Sequence, residues 1–130
     1  MAETIEGLEQ VESKHSVDET VRRVLSLLAE KGIKLFTIID HAAEATSAGL
    51  NLRPTKVVIF GSPKAGTALM QAAPTTAIDL PLKVLVWQDA ENRTWLAWNT
   101  ADYLRQRHNF PEELVKNIAP VAALLRKAAE

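Results

Sequence analysis

The chain has 130 residues, 47% hydrophobic and 24% charged, with no cysteine and a net charge of −1 from 15 basic and 16 acidic residues. That length and balance fit one domain over residues 1–130, large enough to bury roughly two-thirds of its unfolded surface without a metal or cross-link. They exclude disulfides, thiol chemistry and Cys-ligated metals, offer no basic footprint for nucleic acid, and contain no run of about 18 apolar residues that could span a membrane.

The acidic start, Met1-Ala2-Glu3-Thr4-Ile5-Glu6, lacks the basic and apolar segments of a signal peptide, so a cytoplasmic location is expected. Residues 5–14 mix Ile5, Leu8 and Val11 with charged neighbours, as a half-exposed first strand would. Ser16 and Glu19 have the spacing of a capping box, which predicts a helix from Val17. Val17, Val21, Val24, Leu25 and Leu28 fall on one face of that helix, Asp18/Arg22 and Glu19/Arg23 sit at i,i+4 on the other, and Gly32 stops it. Residues 34–39 are apolar and β-branched, a second strand. Asp40 then caps a short alanine-rich helix closed by Gly49, and residues 50–55 form a connector.

A third strand, 56–60, runs into the loop Gly61-Ser62-Pro63-Lys64-Ala65-Gly66-Thr67 and a short helix over 68–72. Residues 75–80 read as irregular, and 82–87, apolar on both faces apart from Lys83, as a central strand. Asp89-Ala90-Glu91-Asn92 joins it in a hairpin to residues 94–98, with Leu96 and Trp98 on one face and Trp95 on the other. Residues 103–107 predict a short helix. Pro111-Glu112-Glu113 opens a last helical segment with a stripe of Leu114, Ile118, Val121 and Leu125, kinked or divided at Pro120. Strand, helix, four strands and helix predict an α+β fold: two layers, a mainly antiparallel sheet and helices on one face, with a ferredoxin-like sandwich as the competing arrangement.

Three stretches together resemble a known family. They are Ile39-Asp40-His41-Ala42-Ala43-Glu44-Ala45 with Gly49-Leu50 and Leu52-Arg53-Pro54-Thr55; Ile59-Phe60 and the glycine loop with Leu69-Met70-Gln71; and Asp79-Leu80-Pro81-Leu82-Lys83 with Leu85-Val86-Trp87. Trp95-Leu96, Tyr103-Leu104 and Arg107-His108 fit the same pattern, that of the bacterial and archaeal domain of unknown function 302. The resemblance covers nearly the whole chain. It implies a β-α-β4-α layout similar to the TATA-binding-protein-like folds and association as homodimers, and it brings no catalytic residues. The family's Gly-Asn-Pro is replaced here by Gly61-Ser62-Pro63.

The glycine loop invites comparison with a phosphate-binding loop, but Thr67 stands where such a loop has its lysine, and Lys64 lies between the glycines. A weaker reading has amides near Gly66 and Thr67 join Lys64 around a carboxylate or phosphate; the plainer one is a turn with Lys64 in solvent. His41 and Glu44, at i,i+3, could begin a metal site but have no third ligand at helical spacing, so neither metal nor cofactor is expected. His41 could instead act as an acid or base oriented by Asp40 or Asp79, or be satisfied by local hydrogen bonds. Arg53 and Asp79, each beside a proline, could tie loops together or face a ligand; a direct Arg53–Asp79 pair would be structural. His108, following Arg105 and Arg107, reads most simply as a solvated helix end and could otherwise join a basic pocket, and Ser62 lacks the context of a nucleophile elbow.

Three functions follow. The first is a homodimeric module that binds a small anionic metabolite through Lys64, Gly66, Thr67, His41 and Arg53. The second is an enzyme with His41 as acid or base and Lys64 stabilising negative charge. The third is a purely structural dimerisation domain. Convergence of Lys64 and His41 on one pocket would make the loop functional, and divergence would make it architectural.

Overall fold

The chain runs β1 (Leu8–Ser13), α1 (Val17–Glu30), β2 (Lys34–Asp40), α2 (His41–Ser47), β3 (Thr55–Gly61), α3 (Pro63–Ala72), β4 (Leu82–Gln88), β5 (Thr94–Asn99), α4 (Ala101–His108) and α5 (Val121–Ala129), with 3₁₀ turns at Pro74–Ile78 and Glu112–Asn117. The computed structural model describes residues 3–130; of the N-terminal stretch read for a leader, Met1 and Ala2 lie outside the described residues. The five strands form one sheet in the order β1-β5-β4-β3-β2, every neighbouring pair antiparallel. β4 is central, and β2 is an edge.

Local chemistry explains the element ends. The Ser16 hydroxyl accepts from the Glu19 N–H at 3.1 Å and starts α1. At the other end, Gly32 has φ +67, its N–H donates to Ala29 O, and the Ile33 N–H donates back to Leu28 O at 2.9 Å. That 6→1 closure satisfies carbonyls the helix would otherwise leave open. The charged face of α1 pairs differently from the i,i+4 expectation: Arg22 meets Glu19, Asp18 reaches Lys56 on β3 at 2.9 Å, and Arg23 donates to carbonyls of α5. Tertiary partners have displaced two of the local ones.

The larger core lies between the sheet and the pair α1 and α5. Val58, Phe60, Val84, Val86, Leu96 and Trp98 meet the α1 stripe of Val17, Val21, Val24 and Leu28 and the α5 residues Leu124, Leu125 and Ala128. Leu69, Ala73, Leu104, Phe110 and Ile118 form a second cluster. The opposite sheet face carries Val57, Ile59, Leu85, Trp87 and Trp95, half-buried and belonging to neither cluster; the two indoles stack with centroids 6.3 Å apart.

Three segments differ from expectation. The glycine loop is the first part of α3: Ser62 is its N-cap and Pro63 its first residue, the position where a missing N–H costs nothing. Residues 74–78 are 3₁₀ rather than irregular, and the segment after Pro111 is 3₁₀ rather than α-helical; of the two arrangements expected at Pro120, the chain takes the divided one, with α5 a separate helix from Val121.

Candidate functional site

A cleft of about 1100 Å³ opens between the end of α1, the start of α3, the 80–82 segment and the start of α5. Each wall has a local cause. The β2–β3 register shifts between Leu35 and Thr37, and the extra residue, Phe36, becomes part of the cleft wall. The Ser62-Pro63 start turns α3 so that Gly66, Thr67 and Met70 form a second side. Gly66 keeps that side low, since a Cβ there would meet only Leu80 Cδ1 at 3.6 Å. Asn117 ties the 3₁₀ turn to α3 by donating to Ala65 O at 3.3 Å, and Val121 and Leu124 of α5 complete the enclosure.

Of the residues expected to bind an anion, Gly66 and Thr67 line this cleft, but their polar groups are committed. The Gly66 N–H donates to Ser62 O at 2.8 Å, the Ala65 N–H to the Ser62 hydroxyl, and the Thr67 hydroxyl to Pro63 O at 2.6 Å. Helix formation has consumed the amides that an open glycine loop would have offered. Lys64 is exposed and outside the cleft.

His41 is elsewhere. Asp40 pairs across the sheet with Lys56, and Lys34 with Gly61, so His41 and Lys64 leave opposite ends of the β2–β3 ladder, roughly 20 Å apart at strand rise. His41 and Lys64 therefore do not share one pocket, although Gly66 and Thr67 of the same stretch line the cleft. Among the described residues His41 has no hydrogen-bond or ion-pair partner; Asp40 caps α2 through the Ala43 N–H and lies 4.0 Å from Lys56. The same Lys56 ammonium hydrogen-bonds Asp18 and holds that carboxyl below its usual pKa. Arg53 reaches Asn92 at 2.9 Å and Gln88 at 3.4 Å, not Asp79.

Asp79 instead receives a histidine that sequence reasoning placed in solvent. His108 Nε2 lies 2.5 Å from Asp79 Oδ2, its Nδ1 lies 2.9 Å from the Thr75 hydroxyl, and Arg107 meets the same carboxylate at 3.2 Å. The His108 side chain is 4% exposed. The arrangement ties the Pro74–Ile78 turn to the end of α4, and His108 borders neither this cleft nor the smaller cavity beside it. The sequence singled out Arg107-His108 and Asp79 separately, in stretches that carry the family resemblance, but nothing in it joined the two across 29 residues.

Comparison with known proteins decides the lineage. The family model described as domain of unknown function DUF302 matches residues 9–130. The chain belongs to the DUF302 family. A DUF302 protein from Bacillus stearothermophilus superposes with a TM-score of 0.79 at 17% identity, over 96% of this chain and 97% of that one, which establishes the shared fold. Among curated relatives, a protein named fluoride-specific ion channel FluC 1 from Brucella suis biovar 1 (strain 1330) is 47% identical over 103 residues, 79% of this chain and 41% of its own length. One of the same name from Brucella abortus biovar 1 (strain 9-941) matches equally over 38% of its length. This DUF302 chain therefore spans about two-fifths of the curated relatives it matches.

Proposed function

We propose that this DUF302 chain is a homodimeric module that binds a small anionic molecule in the cleft beside α3. The cleft carries the reading: about 1100 Å³ of space, walled mainly by apolar side chains with a few polar groups, is the form that small-molecule sites take. Relatives more than twice as long as the stretch they share support a module that is combined with other segments, and their channel name is compatible with a role next to anion handling. A metabolite-library thermal-shift screen tests it. A ligand at 100 times its dissociation constant should stabilise the chain by ~2.7 kcal/mol, and Gly66→Leu, which places a side chain in the cleft, should abolish the shift. No responsive compound, or an unchanged response in Gly66→Leu, contradicts the reading.

Dimerisation draws its support from where apolar surface is exposed. Among the described residues, Leu35, Phe36, Ile38 and Ile39 on edge strand β2, with Leu50 and Leu52 after α2, account for six of the eight exposed large hydrophobics. An unpaired apolar edge of this kind is a template for another strand. Sedimentation at micromolar concentration should give a dimer and Ile39→Lys a monomer; a monomeric parent contradicts it.

One observation favours an acid–base alternative, the Asp79–His108 contact at 2.5 Å. It moves that alternative from His41 and Lys64 to His108. A 4% exposed imidazole outside the cleft is better suited to holding α4 than to meeting substrate.

A further inference from the structure

We infer that the cleft takes a single-chain amphiphilic monoanion, a medium-chain carboxylate, with its hydrocarbon against the apolar floor and its head group at Lys31 and Lys127. The inference rests on the cleft being the ligand site and adds the chemistry of the ligand.

Only three of the 22 residues around the cleft are charged: Glu30, Lys31 and Lys127. Both lysines are exposed, and among the described residues neither ammonium has a hydrogen bond or ion pair; the paired lysines, Lys56 and Lys83, lie elsewhere. Lys34 is not part of the lining; its Nζ lies 4.9 Å from the centroid of the Phe36 ring, a cation–π contact. The start of α5 also borders the cleft, with no side-chain cap and no acidic residue in its first turn to offset the positive end of its dipole.

Leu27, Ile33, Met70, Leu82 and Val121 make most of the remaining wall apolar, and the polar groups of Ser62, Thr67 and Asn117 are engaged in local hydrogen bonds. A small hydrophilic anion would leave that floor wet, and an uncharged hydrocarbon would leave the cations unmatched; an amphiphile satisfies both. Among the lining residues, Lys31 and Lys127 against Glu30 leave one positive charge, which one carboxylate balances. Lysine stems can lie along the hydrocarbon while their ammonium groups stay in water.

Calorimetry of the full chain with decanoate, 1-decanol and acetate, all below self-association, tests the assignment. Decanoate should saturate one site per chain, 1-decanol should bind about tenfold more weakly, the scale of two surface charge contacts, and acetate should not bind. Lys31→Gln with Lys127→Gln should bring decanoate down to 1-decanol and leave 1-decanol unchanged. Equal binding of decanoate and 1-decanol in parent and double variant overturns the anionic assignment while the cleft stands. Binding that persists in both Gly66→Leu and Ala123→Leu, two independent cleft-filling changes, overturns the cleft itself, as does absence of any binding. Association with phosphatidylglycerol vesicles without binding of monomeric decanoate also overturns the proposal, because the occupant would be a lipid surface.

Discussion

Gly66 shows how a single residue was legible in kind but not in place. A glycine five residues after another, with proline between, reads as an open turn; the Ser62 cap and Pro63 instead convert the stretch into helix, and Gly66 sits inside it. An added β-carbon would meet only Leu80 Cδ1, at 3.6 Å, so Gly66→Ala should raise stability by about 0.5–1 kcal/mol through helix propensity, measured by urea denaturation. Asp89 was read only as part of a polar connection, yet it organises the hairpin. One oxygen accepts the Glu91 and Arg93 N–H groups at 2.9 Å each, the other accepts Trp95 Nε1 at 2.8 Å. The indole hydrogen bond, helped by the two amides, holds the Asp89 carboxyl below its ordinary value. A depressed folded-state pKa gives stabilisation that is present above the unfolded value and lost as pH falls through the folded one. Thermal midpoints should therefore drop as pH falls below about 4, and less steeply in Asp89→Asn. An identical slope would remove Asp89 from the acid response. His108 and Asp79 were legible separately, but pairing across 29 residues is a tertiary fact that no local pattern encodes.

The elements with strong periodicity were readable because their signal is local. The α1 stripe, Ser16 cap and Gly32 stop all stand where the spacing put them, and Leu28 is 1% exposed. Leu28→Ala should cost about 2–5 kcal/mol in a denaturant melt, and a loss under about 1 kcal/mol would contradict its core role. The β4–β5 hairpin likewise divides its tryptophans as alternation predicts, Trp98 buried and Trp95 stacked on Trp87. β2 was recognised as a strand, but its exposure was not legible: an apolar run looks the same whether it is central or at an edge, and only strand order decides. The last segment became two pieces because Pro120 cannot donate the hydrogen bond that would continue the preceding turn.

At the scale of the whole molecule, α1 and α5 cover one side of the sheet and leave the gap beside α3 that forms the cleft. No single stretch announces that gap, since its walls come from residues 27 to 127. The sequence motifs that drew attention, the glycine stretch and His41, turn out to lie at opposite ends of one strand pair. Their separation shifts the functional weight from motif to cavity. The most direct measurement is a two-dimensional ¹H–¹⁵N spectrum of the protein titrated with decanoate. Shifts should concentrate at Met70, Leu80, Val121 and Lys127; shifts confined to Ile39, Val57 and Trp95 on the other sheet face, or none at all, would contradict binding in the cleft.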